Sequence, residues 1–375
     1  MNQEIDSEQI SYTRRILDLL RIDPVLLSLL IILSTIGVVL LYSAGGADTA
    51  LMMRQAVRLS VGFFLLILVA NIPLRLLKKI SIVAYLAGVA MLLAVMFFGE
   101  IGKGAQRWLD LGFVRFQPSE ILKLAVPMLV AAYLSNRILP VGWKDLIISV
   151  VLVMIPVLLI AKQPDLGTAI LVGSAGFFVL FLAGVRWRIM MVLGVLLSAM
   201  APVLWKFALH DYQRTRILTL LNPESDPLGS GYHIIQSKIA IGSGGVYGKG
   251  WLNGTQSQLD FIPERSTDFI FSVFGEEFGF LGSVLLIALY VVIIYRGLYV
   301  AASSPDNFGR LLAGALSLTF FVYVFVNTGM VTGLLPVVGV PLPLISYGGT
   351  SMVTLMMGFG LIMSIRAAKR FWTNS

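Results

Sequence analysis

Six ionisable side chains of this sequence sit where an apolar chain has least use for charge. Glu120 and Lys123 stand three residues apart in QPSEILKLAVPMLV. That spacing puts both on one helix face, where they can pair with each other or hold a substrate. Asp165 lies in KQPDLGTA, in a turn made tight by Pro164 and Gly167, where capping a helix is its simplest task. Asp268 opens a helix in ERSTDFIFSVFGEEFGF, just after Glu264 and Arg265, and a carboxylate in a first turn suits the helix dipole. Glu276 and Glu277 follow about 12–13 Å deeper at ~1.5 Å per residue, so Arg or Lys from a neighbouring helix should answer them.

Charge at membrane depth costs at least ~2.5–3.5 kcal/mol, so each such group needs a partner, a water-filled cavity or a function. The helices bearing Glu120 and Asp268 enter from the same side, and Asp165 lies in a turn on that side. Their convergence fits a site in one half of the membrane.

Two other segments have the composition of site walls. IGSGGVYGKGWLNG is glycine-rich, but neither the nucleotide P-loop spacing nor the dinucleotide fingerprint is met around Lys249, so no ATP site is visible. VVGVPLPLISYGGTS carries prolines at 336, 341 and 343 with Gly348 and Gly349, which spoil regular helix. Non-helical backbone at membrane depth is tolerated when buried or lining a cavity, so this stretch should border the same site.

The elements that must position these groups are membrane helices. Of 375 residues, 57% are hydrophobic and 13% charged, against about a quarter charged in an average soluble domain. Ten stretches approach the roughly 20 residues a spanning helix needs: 24–43, 56–73, 80–98, 118–136, 145–162, 165–184, 189–209, 268–295, 309–333 and 344–365. Runs such as VLLSLLIILSTIGVVLLY do not alternate as barrel strands do. The fold class expected is an all-α polytopic membrane protein of about ten transmembrane helices, with a large outward loop between the seventh and eighth.

Fifteen Lys and Arg residues on the N-terminal side of the membrane face six in the short opposite loops, which places both termini in the cytoplasm. The chain then divides into a cytoplasmic segment 1–23, a ten-helix domain 24–366 that includes an outward loop 210–267, and a cytoplasmic tail 367–375. No signal peptide is read; the first span inserts the chain. The loop's eight glycines are interspersed with enough apolar residues, among them Tyr212, Ile217, Trp251 and Phe261, to predict an ordered cap with short helices. Residues 99–117 form a second outward segment beside it. The absence of Cys excludes thiol chemistry and cysteine-ligated zinc, and two His residues exclude a histidine-rich metal site. The net charge of +8 is spread over short loops, so it specifies topology and predicts no nucleic-acid partner.

The motifs RWLDLGFVRFQPSEILK, KQPDLGTA, GTQSQLDFIPERSTDFIFSVFGEEFGFLG and PLPLISYGGTS, in this order around a large outward loop, resemble those of the SEDS family of RodA, FtsW and SpoVE. The resemblance runs essentially end to end. Its short tails and the wording GTQSQLDFIPERSTDFIF are closer to the RodA branch, which serves cell elongation, than to the FtsW branch, which serves division. The resemblance implies a peptidoglycan glycosyltransferase of the bacterial inner membrane, polymerising lipid II into β-1,4 glycan strands with release of undecaprenyl diphosphate. It implies Asp268 as the general base for the attacking hydroxyl. Glu120 and Lys123 become the charged pair that meets the diphosphate, and Arg107, Asp165, Lys249, Glu264 and Ser346 further substrate-binding candidates. The leaving diphosphate calls for a divalent cation, Mg2+ or Mn2+, or a basic side chain, and the sequence leaves that choice open. The partners implied are lipid II, the growing strand, a class B penicillin-binding protein and other membrane proteins of the elongation complex. A lipid II flippase is the alternative, although no internal repeat of the kind transporters show is found.

Overall fold

The computed structural model describes residues 21–102, 105–110, 115–189, 191–192, 194–195, 199, 211–226, 229–259, 261–262 and 264–373. Twelve helices are named here in chain order. They are α1 Pro24–Ala44, α2 Thr49–Ala70, α3 Leu74–Phe98, α4 Pro118–Ser135, α5 Trp143–Lys162, α6 Leu166–Leu182, α7 Asp211–Leu221, α8 Ser230–Ser243, α9 Thr255–Gln258, α10 Ile270–Ala302, α11 Asn307–Val331 and α12 Thr350–Thr373. Eight of them, α1 to α5 and α10 to α12, are long and apolar enough to cross a membrane, and α6 is a shorter apolar helix. These nine match nine of the ten expected spans; the tenth, 189–209, lies largely outside the described residues, as do residues 1–20.

Local signals set the helix starts. Asp23 caps α1, accepting from the Val25 and Leu26 amides, and Pro24 takes the first helical position, where a missing N–H costs nothing. Pro118 does the same for α4. Asp165 caps α6 through the Thr168 amide. Asp23 is also fully buried and receives Arg296 of α10 at 3.0 Å together with Arg366 of α12. One carboxylate thus ties three helices at the end of α10 remote from Asp268.

Burial separates centre from rim. The spans of α4, α11 and α12 are 67% buried, whereas α1, α2, α3, α5 and α10 range from 22% to 39%. The first three therefore form the middle of the bundle, and the side chains that carry chemistry on them are enclosed by protein. The outer faces of the others present Phe64, Val83 and Leu285 to the surroundings, an arrangement suited to lipid rather than water.

Helix α10 departs from one expectation and explains another. Asp268 does not open it: residues 264–269 form a turn, and the helix starts at Ile270. A break at Gly279, with φ +66°, interrupts the helix. The hydrogen bonds lost there are made by the glycine-rich loop instead. Lys249 and Gly250 donate their amides to the carbonyls of Glu276 and Glu277, at 3.0 Å each. Phe280 and Leu281 donate theirs to the carbonyls of Gly245 and Val246, at 2.9 and 3.1 Å. Four backbone bonds thus replace helix bonds at the break, as backbone at membrane depth requires. The pairing also demands glycine: at Gly248, φ +80°, a side-chain carbon would stand 2.1 Å from the Glu277 carbonyl oxygen. Gly248→Ala should therefore lower stability by about 2 kcal/mol or more, from left-handed strain and overpacking together. Thermal unfolding in detergent reads this out, and an unchanged midpoint would mean that the loop does not clasp the helix.

The segment 211–258 forms the short helices α7, α8 and α9 with a 3-10 turn Pro223–Ser225, as its apolar content predicts. Residues 100–116 hold a small three-stranded antiparallel sheet, Glu100–Gly102, Ala105–Asp110 and Arg115–Phe116, which the sequence reading leaves unassigned.

Candidate active site

Asp268 lies in the turn that leads into α10, partly exposed, with its Oδ2 facing Gly339. The wall it faces is the non-helical stretch 334–349, the proline- and glycine-interrupted sequence expected to border a site. Several bonds join the two. The Tyr347 amide donates to the Ser266 carbonyl at 2.8 Å. The Ser346 hydroxyl donates to the Thr267 carbonyl at 2.6 Å and accepts from the Leu342 amide at 2.7 Å. Ser346 is buried, so its hydroxyl shapes the wall from behind. Glu264, at φ +53°, accepts from the Thr267 hydroxyl at 2.7 Å within the same turn. On the other side His233 of α8 stacks on Phe269, 5.5 Å between centroids and 19° between planes. Burial pushes the His233 imidazole below its ordinary value against the raising pull of Glu264 and Asp226.

Glu120 and Lys123 form an ion pair at 2.8 Å with side chains 4% and 6% exposed. Lys123 also lies 5.4 Å from the ring centre of Tyr323 on α11. The two partners face different ways: Glu120 lines a large groove, whereas Lys123 is turned toward the bundle interior. Among the buried polar atoms here, Glu120 Oε2 and Ser119 Oγ lack a hydrogen-bond partner, while the Tyr323 hydroxyl lies between Lys123 and Ser351. Such unspent capacity around an ion pair is the mark of a polar site rather than of a sealed core.

The groove has a volume of about 650 Å3 and runs between α2, α3, α4 and α12. Its walls carry Val61, Ile72, Leu77, Ile121, Met128 and Met357, and its charged residues are Arg58 and Glu120. From Val57 to Val69 it follows α2 for roughly 18 Å, more than half the ~30 Å depth of a hydrocarbon core. Arg58 sits 4.4 Å over the Tyr347 ring, so the charged end of the groove and the Asp268 turn share one wall. Sequence reasoning counted Arg58 only as a topology signal. The signal available is that Arg58 falls inside the apolar stretch 56–73.

The remaining candidates are spoken for by protein. Asp165 accepts from Gln117 at 2.8 Å and pairs with Arg107 at 3.7 Å, and Arg107 also donates to the Pro164 carbonyl. They brace the small sheet against α4 and α6. Lys249 meets Glu276 at 2.8 Å, and Glu276 further accepts from Thr255 Oγ1 and from the Gln256 and Ser257 amides. Glu277 accepts from the Ser43 hydroxyl. The expectation that Arg or Lys from a neighbouring helix answers both glutamates is corrected here. Lys249 reaches Glu276 from the glycine-rich loop, because the break at Gly279 draws that loop onto α10, and a hydroxyl of α1 serves Glu277. Among the described residues no group of three or more Asp, Glu or His side chains is placed to hold a metal ion. Arg58 lines the groove, and Lys123 flanks it through its pairing with Glu120.

Residues 17–371 match the profile of the cell cycle proteins FtsW, RodA and SpoVE. The chain is 53% identical over 358 residues to the peptidoglycan glycosyltransferase MrdB of Escherichia coli, covering 96% of this chain and 97% of that one. It is 36% identical to a probable peptidoglycan glycosyltransferase FtsW of Geobacter sulfurreducens, over 92% of this chain and 95% of the other. Among solved structures it resembles a chain of a peptidoglycan synthase complex that coordinates polymerisation and crosslinking, with a TM-score of 0.81, 33% identity and coverage of 92% and 98%. It also resembles the rod shape determining protein RodA of Thermus thermophilus, with a TM-score of 0.70, 31% identity and coverage of 92% and 96%.

Proposed function

We propose, from the premise that this chain belongs to the FtsW, RodA and SpoVE family of cell cycle proteins, an assignment of its site residues to glycosyl transfer. The chain is a peptidoglycan glycosyltransferase and a multi-pass protein of the bacterial inner membrane. The observation that carries the assignment is the groove. An apolar channel that runs more than half the depth of the membrane with charge at one end has the shape of a polyprenyl diphosphate, the lipid half of lipid II.

In this reading the polyprenyl tail lies along α2 and α4, and the diphosphate rests by Arg58. Lys123 exchanges Glu120 for the diphosphate as it arrives, and Glu120 holds the lysine in register beforehand. Asp268 takes the proton from the 4-hydroxyl of the acceptor sugar as that oxygen attacks the anomeric carbon of the donor. The bond to the diphosphate breaks on the opposite face, so the new linkage is β-1,4 and undecaprenyl diphosphate leaves. Charge that develops on the leaving group is met by fixed cations in a water-poor site, where they act most strongly. Arg107 and Asp165, Lys249 and Glu264, and Ser346 serve by fixing the walls against which the substrate rests.

The charge bias of the short loops puts both termini in the cytoplasm and this site at the outer face. Lipid II and the growing strand are its substrates. A class B penicillin-binding protein is the partner that supplies crosslinking, alongside other membrane proteins of the elongation complex.

The test is polymerisation of purified lipid II by the chain in detergent, alone and with a cognate class B partner. Glycan polymer with stoichiometric undecaprenyl diphosphate is expected. No polymer under either condition, together with movement of labelled lipid II across proteoliposomes, would replace the enzyme with the flippase.

A further inference from the structure

We propose that Asn327 is a positioning residue for the Asp268 base, an inference that rests on the role given to Asp268 above. Asn327 lies on α11, fully buried. Its Nδ2 donates one hydrogen to the Asp268 carbonyl at 2.9 Å and the other to the Val340 carbonyl at 2.8 Å. Those carbonyls belong to the turn before α10 and to the non-helical wall, both outside regular helix. Val340 follows Gly339, the residue that the Asp268 carboxylate faces. This amide nitrogen therefore bridges the carbonyl of the base itself to the wall it works against, beside the bonds that Ser346 and Tyr347 make to the preceding turn residues.

Few side chains can do this. Joining two carbonyl oxygens takes two N–H groups on one atom at this length of stem, which a primary amide supplies. Leucine has the shape without the donors, aspartate presents acceptors to acceptors, and serine donates once. The arrangement is also costly, because Asn327 Oδ1 is buried without a hydrogen-bond partner. A buried polar atom left unpaired asks for a reason, and the reason lies in what the other end of the amide holds. The same helix face carries Tyr323 one turn earlier, beside Lys123. Helix α11 is thus the rail on which the base and the charged pair keep a common register, and Asn327 is its fastening to the base.

The experiment compares wild type, Asn327→Leu, Asn327→Ser, Asp268→Asn and the Asn327→Ser/Asp268→Asn double variant. Each is purified with the class B partner and assayed for polymerisation of lipid II with long incubations. A misplacement of about 1 Å can cost on the order of a hundredfold in rate. Turnover of Asn327→Leu should accordingly fall by ten- to a hundredfold, with the KM for lipid II within twofold of wild type. Asn327→Ser should fall less, since one donor remains, and it stands in if the leucine variant does not fold. Acting through Asp268, the serine substitution should leave the residual turnover of Asp268→Asn unchanged. Wild-type turnover in both Asn327 variants, a rise in KM that accounts for the loss, or an equal further drop in the double variant overturns the proposal. Full activity of Asp268→Asn would instead overturn the role of Asp268 itself.

Discussion

Polymerisation of lipid II should fall about a thousandfold in Asp268→Asn, within the range of 10²–10⁴ that a positioned general base contributes, while the protein stays folded. The substitution is nearly isosteric and the residue is partly exposed in a turn. The bonds that hold the turn run through backbone atoms, from Asn327 to the Asp268 carbonyl and from Ser346 to the Thr267 carbonyl. These two bonds do not require the carboxylate, and an amide keeps its shape. Detergent melting of the variant should match wild type, and lipid II should still saturate it. Retained polymerisation would move the base to another residue. A lost fold would make Asp268 a structural residue.

The second large effect is on Lys123. Among the described residues Lys123 is the ion-pair partner of Glu120, a carboxylate enclosed at 4% exposure; Lys123→Met removes it, and stranding one half of a buried pair costs about 3–5 kcal/mol. Thermal unfolding should show a marked loss, and polymerisation should be abolished. The double variant Glu120→Gln/Lys123→Met separates the two consequences. With no charge left to strand, its stability should return to near wild type, whereas its polymerisation should not, because the cation for the diphosphate is still gone. A double variant that polymerises normally would reduce the pair to a structural staple. A single variant as stable as wild type would show that Glu120 reaches water or another cation.

Both predictions depend on what holds the two groups in one register, and that connection has a material basis. Lys123 rests by Tyr323, Tyr323 precedes Asn327 by one helical turn, and Asn327 holds the Asp268 carbonyl. On the groove side Arg58 lies on Tyr347, whose amide is bonded to Ser266. Loss of turnover from substitutions at Tyr323, Asn327 and Tyr347, which link the two groups without being placed on the diphosphate, is thus expected to track displacement of the base rather than loss of substrate affinity.

By itself the sequence determined the class of the protein, its helices, and the identity of the charges worth asking about. The reason is that lipid leaves the backbone few options, so apolar length translates directly into spans. Charge at that depth is costly enough to be rare, which made Glu120, Lys123 and Asp268 stand out. Motif spacing added the family, since four separate stretches kept their order around the loop. Only the tertiary structure decided what each charge touches. Side-chain partners lie far apart in the chain, as Ser43 and Glu277 or Lys249 and Glu276 do, and periodicity carries no information across such separations. The break at Gly279 turned an expected helix partner into a loop partner, the turn at 264–269 moved Asp268 off the helix, and the packing of α2 against α12 opened a groove with Arg58 on its wall. Asn327, an amide inside an apolar helix, gained its meaning only when two non-helical segments were seen to close on it.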